Sequence, residues 1–152
     1  MATAWNYERR QLTCAKFVIG VWLIAKGKAG VETSLEAVRN RVRLPPEDAL
    51  FAARRLDEEQ LVAFDPGGDV RAVAKGIARA EELLEKARSK TREIDDVTST
   101  LSGGGVPLAI LELAVIANGG SLPCGATTDG ATSHRLVLIG NALVLEPAER
   151  DA

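Results

Sequence analysis

Two chain breaks, Pro45-Pro46 and Pro66-Gly67-Gly68, constrain this sequence more than any other feature. Tandem proline cannot continue a helix. Its second member is well suited to open one, because the missing N–H would lack a partner there anyway. Pro-Gly-Gly between β-rich runs is a hairpin turn signal. The chain between the breaks must therefore start as helix and finish as strand. The spacing predicts a helix from Pro46 to about Gln60, with Glu47 and Asp48 at the positive end of its dipole. Ala49, Ala53, Leu56 and Gln60 share one face, with Leu50 beside them; Phe51, Arg54, Arg55 and Glu58 lie opposite. Two short strands are predicted at 61–65 and 69–74.

Upstream, residues 11–26 are apolar enough for a buried helix ended by Gly27 and Gly30. Thr33 or Ser34 can cap a second helix, whose stripe Leu35, Val38, Val42 leaves Arg39, Asn40, Arg41 and Arg43 pointing mostly outward. Downstream, residues 75–91 are helical, with Glu82 and Lys86 spaced for an ion pair. The stripe Ile77, Ala80, Leu84, Ala87, Thr91 continues in Ile94, Thr98 and Leu101 as a weak seam for an antiparallel or dimer contact. Gly103-Gly104-Gly105 marks a boundary.

Residues 107–118 form a helix in which only Glu112 is charged, so it must be buried nearly all round. Residues 119–133 are a polar, Gly-rich loop. Residues 136–139 and 142–145 flank Gly140-Asn141 as a hairpin. One two-stranded hairpin covers so apolar a helix poorly, which predicts packing on the first domain or on a second subunit.

Charge is divided unevenly. Residues 1–92 carry 17 basic and 13 acidic side chains, and the remainder 2 and 8, giving +4 and −6. The first part can approach an anion and the second should avoid one. Aromatic content of 4% leaves little for stacking on bases. The apolar run 17–25 is bounded by Lys16 and Lys26 and is too short for a bilayer, which needs about 20 residues. Lys26 and Lys28 stand where a signal peptide would carry small cleavage residues. No membrane association is expected, and a cytoplasmic location with reduced cysteines is.

Chemistry has little to rest on. Cys14, Cys124 and His134 are too few for a structural zinc site, and no metal or other cofactor is expected. A nucleophile pair of Cys124 and His134 with Asp129 can be imagined, but an isolated Cys and His in a loop are far more often structural. The chain is not expected to be an enzyme. The hydroxyls Ser121, Thr127, Thr128, Thr132 and Ser133 suit a solvated loop better than an effector pocket, and no effector can be named. The triple glycine lacks the Lys-Ser/Thr of a phosphate loop.

Helix, helix, helix, two strands about a Gly turn and a further helix is the element order of a winged helix-turn-helix. The stretch SLEAVRNRVRLPPEDALFAARRLDEEQLVAFDPGGDVRAVAKGIARAEELLEK resembles the DNA-binding core of winged-helix regulators such as the MarR and PadR groups. In those, a cluster like Arg55-Leu56-Asp57-Glu58-Glu59-Gln60-Leu61-Val62 closes the recognition helix, and Lys75-Gly76-Ile77 opens the next helix. The resemblance implies an α+β fold: a winged-helix domain over 10–92 with three helices and a two-stranded wing, then a long helix. A linker over 93–105 and a helix-hairpin extension over 106–147, used for packing or dimerisation, would follow.

It further implies a homodimeric transcriptional regulator, a repressor acting by promoter occlusion on double-stranded DNA, with the helix from Pro46 in the major groove and Gly67-Gly68 at the wing tip. Phe51, Arg54 and Arg55 would read bases, and Arg39, Arg41, Arg43 and Arg71 would hold phosphates. Glu47 and Asp48 at the start of that helix, with Asp65 and Asp69 around the wing tip, suit the alternative: a winged-helix adaptor that docks a protein partner without DNA.

Overall fold

The computed structural model describes residues 7–91, 108–126, 132–140 and 142–147. Among these are five helices and two three-stranded antiparallel sheets, an α+β arrangement. The chain forms two compact units, residues 1–83 and 84–152, divided within the fourth helix. The triple glycine and the continuation of the seam through Ile94, Thr98 and Leu101 lie outside the described residues.

In the first unit, α1 (Tyr7–Ala25) packs against α2 (Leu35–Val42) and α3 (Pro46–Glu58). It starts earlier than its apolar run suggests. It ends in Lys26 and Gly27, both left-handed, with the Gly27 amide donating to the Trp22 carbonyl. Gly20 permits the close crossing of α1 and α2, since a Cβ there would sit 2.8 Å from Val42 Cγ1. Ser34 caps α2, its hydroxyl accepting from the Ala37 amide at 3.1 Å. Phe17 and Ile19, Val38 and Val42, and Leu56 bring three helices to one core.

Strand β2 (Val62–Phe64) and strand β3 (Asp69–Ala72) form the expected hairpin. A third strand, β1 (Glu32–Ser34), pairs with the other edge of β3, giving the order β1-β3-β2. It is three polar residues with no alternating pattern; its backbone bonds to β3 define it, and sequence periodicity is blind to them. Val62, Val70 and Ala72 are buried on one face, while Asp69 and Arg71 stand on the other. Helix α4 (Ala74–Thr91) buries Ile77, Ala80, Leu84 and Ala87, the stripe read from spacing. Glu82 pairs with Arg79 at 3.2 Å, three residues back, in place of the expected Lys86.

In the second unit, α5 (Leu108–Ala117) buries Ile110, Leu111, Leu113, Ala114 and Val115. The stretch 119–133, expected to be loop, contains a strand. β4 (Ser121–Ala126) pairs with β5 (Thr132–Ile139), which pairs with β6 (Ala142–Pro147). Helix α5 rests on β4 and β5, with Leu122 and Leu136 fully buried. The two-stranded hairpin expected from sequence is thus the edge of a three-stranded sheet, order β4-β5-β6, and the helix rests on its β4 and β5 strands. Glycines at 119 and 120, with φ of +84° and +114°, hid the strand by making its approach look like a continuous loop. Gly140 takes φ +62° at the tip of the β5–β6 hairpin, as that turn requires.

Candidate nucleic-acid interface

Helix α3 is built to expose one side. Its buried side is Ala49, Ala52, Ala53 and Leu56, three of them too small to hide anything beyond the helix backbone. Arg54 and Arg55 are exposed and Phe51 is half-buried. The helix stops where Gln60 turns left-handed at φ +63°, and the Leu61 amide donates back to the Leu56 carbonyl at 2.8 Å. Asp57 Oδ1 then accepts from the Phe64 amide at 3.1 Å, which fastens β2 to the end of α3. The hairpin follows the helix without slack.

The arginines singled out from sequence have different surroundings. Arg41 and Arg54 are exposed and take part in no ion pair among the described residues. Arg43 is exposed at the left-handed C-cap of α2, φ +56°, in the turn that leads to α3. Arg55 is exposed and lies 3.4 Å from Glu59, one turn on. Arg39 is drawn back along its own helix: Nη1 reaches Glu36 Oε1 at 2.9 Å and Asn40 Oδ1 at 3.0 Å, while Nε is buried with no hydrogen-bond partner among the described residues. Arg71 stands on the sheet face opposite Val70 and Ala72, level with Glu32 on β1 and Ala63 on β2. The fold therefore gathers Arg41, Arg43, Arg54 and Arg55 on the α2–α3 pair and sets Arg71 on a separate element.

Acidic groups near this surface are more constrained than the sequence suggests. Asp48 is buried, and both of its carboxylate oxygens accept from Arg9 Nη2, at 3.0 and 3.2 Å. Its charge is turned inward and answered, leaving Glu47 as the exposed acid of the first turn. At the hairpin tip Asp65 Oδ1 accepts from the Gly67 amide at 2.8 Å, so this carboxylate builds the turn. Sequence reasoning missed Arg9, whose partner lies 39 residues away, a separation no local pattern reports.

Lys75-Gly76-Ile77 acquires a physical reason. A Cβ on Gly76 would lie 1.8 Å from the Leu61 carbonyl oxygen, so the first turn of α4 touches the backbone entering β2. Lys75 Nζ donates to the Glu59 carbonyl at 3.2 Å across the same junction.

Cys14, a free thiol on α1, is pushed up to about 11, first by burial and then by the Glu59 carboxylate, with Arg55 opposing. A thiol so shifted is a poor nucleophile at neutral pH. Cys124 and His134 fall opposite each other on β4 and β5, while Asp129 lies outside the described residues. Among the described residues there is no group of three or more His, Cys, Asp or Glu able to hold a metal, and no helix long and apolar enough to cross a membrane. No family model, curated protein or solved structure matches this chain.

Proposed function

We propose that the first unit is a winged helix-turn-helix that binds double-stranded DNA, with α3 in the major groove and the β2–β3 hairpin as the wing, and that the protein is a transcriptional repressor. The observation that carries this reading is the exposed side of α3: an Arg54 with no ion pair among the described residues, beside Arg55 and Phe51, delivered by a helix whose other side is alanine and leucine. The order α1, β1, α2, α3, β2, β3 and the sheet order β1-β3-β2 support it. Arg54 and Arg55 have the reach and donor geometry for guanine edges. Arg41 and Arg43 on the preceding helix and turn supply phosphate contacts. Arg39, held by Glu36 and Asn40, would contribute less. Arg71 would meet DNA only through the wing. The protein acts in the cytoplasm as a homodimer on a pseudo-palindromic site under this reading.

Fluorescence anisotropy with a labelled random duplex tests it. Affinity should fall steeply between about 50 and 200 mM salt, and Arg54→Ala and Arg55→Ala should each cost roughly 1–3 kcal/mol on the selected sequence. Binding that is unchanged in the double variant would remove α3 from the interface. A second reading, a protein-docking winged helix, draws on exposed Glu47 and Glu58 beside the arginines. It predicts no salt-sensitive duplex binding at all.

A further inference from the structure

The contact between Arg9 and Asp48 joins the first turn of α1 to the first turn of α3. Three features make it more than a surface ion pair. Asp48 is 4% exposed, and among the described residues Arg9 is its only ion-pair partner, so the carboxylate cannot turn to water instead. The start of α3 has no side-chain cap, because Pro45 occupies the N-cap position. The face that α3 turns to the core is Ala49, Ala52, Ala53 and Leu56. Alanines interlock weakly with a neighbouring helix, so packing alone resists sliding and rotation of α3 less than larger side chains would. A bond with two acceptor oxygens and one donor is directional where the alanine contacts are not.

We infer that Arg9 and Asp48 are positioning residues that set the rotation and tilt of α3 against α1, and through them the register in which Phe51, Arg54 and Arg55 meet base edges. This rests on the DNA-binding reading above. It predicts that loss of the pair damages sequence selectivity and leaves the sequence-independent phosphate attraction in place, because Arg41 and Arg43 lie on α2 and its C-cap. Positions of contact groups must be held within roughly 10–20° for specific recognition.

The test uses the full chain with Arg9→Gln, Arg9→Lys and the double variant Arg9→Met/Asp48→Ala. Arg9→Gln strands a buried carboxylate and should lower stability, whereas the double variant removes both charges and should recover it. Residual dipolar couplings of the α1 and α3 amides give the angle between the helices. A pool of randomised duplexes gives the preference for the enriched sequence over a scrambled one. The double variant should be as stable as wild type, show α3 reoriented, lose at least about ten-fold in preference, and keep the wild-type salt slope. Arg9→Lys, which retains a charged donor, should restore most of the preference.

An unchanged angle in the stable double variant overturns the inference, and if wild type still selects a sequence the DNA reading stands without it. A changed angle with no duplex binding by wild type supports the positioning role and overturns the DNA reading. Preference that falls only in step with stability, and returns with it in the double variant, also overturns the inference.

Discussion

Gly76→Ala measures how tightly the hairpin is seated. The added Cβ would lie 1.8 Å from the Leu61 carbonyl oxygen and 2.8 Å from its carbon, where ordinary contact begins at 3.4 Å. Something must open by about 1.6 Å. Leu61 cannot yield alone, since its amide is bonded to the Leu56 carbonyl of α3 at 2.8 Å. On the other side, Lys75 holds the Glu59 carbonyl. Overpacking against well-fixed atoms costs about 1–3 kcal/mol, occasionally more, and a backbone carbonyl is the least forgiving neighbour. Alanine returns up to about 1 kcal/mol through helix propensity. The net expectation is a loss of about 2 kcal/mol, read as a lower urea midpoint by far-UV circular dichroism with an unchanged slope. Gly20→Ala is the comparison: its Cβ meets Val42 Cγ1 at 2.8 Å and Val38 Cγ1 at 3.1 Å, methyl groups that can adjust. It should cost about 1 kcal/mol. A Gly76→Ala protein as stable as wild type would mean that α4 does not abut the backbone entering β2, and the seating of the hairpin would have to be abandoned.

Gln60→Gly should raise the urea midpoint by the equivalent of about 0.5–1 kcal/mol, because glycine removes the left-handed strain at φ +63° in excess of its entropy cost; a lower midpoint contradicts this. Ser34→Ala should cost about 1 kcal/mol by removing the cap on the Ala37 amide, whereas Ser34→Asp should cost little. Cys14 should react with iodoacetamide at pH 8 roughly a hundred-fold more slowly in the native protein than in urea, reflecting the lower thiolate fraction. Because the folded protein holds this proton more tightly, the stabilisation is complete below about pH 9 and is lost as pH rises toward about 11. Cys14→Ser should make stability less steep across that window, and identical slopes would refute the assignment.

Much of the first unit is legible because breaks and periodicity determine it locally. Pro46 opens α3, Pro66-Gly67-Gly68 turns the hairpin, and Val38, Val42, Ile77 and Ala80 are buried where spacing puts them. What escapes is set by distant partners. Glu32–Ser34 is a strand only because β3 lies beside it, and Asp48 faces inward only because Arg9 arrives from another helix. The same holds for β4: Leu122 is fully buried, but Pro123 and Gly125 argue against a strand until β5 pairs with it. At the candidate interface, sequence places the arginines on the correct helices. It is silent on their pairing, so Arg39 and Arg54 look alike until Glu36 and Asn40 are seen to hold one and not the other.

If the first unit binds DNA as proposed, the outward side of α3 and the tip of the hairpin touch the duplex. Amide chemical-shift mapping of the labelled protein with an unlabelled duplex at low salt tests it residue by residue. Perturbations are expected at Phe51, Arg54, Arg55, Arg43 and the Gly67-Gly68 tip, absent from β4, β5 and β6 and reversed by salt. Shifts confined to the second unit, or none at duplex concentrations that saturate the anisotropy signal, would contradict it.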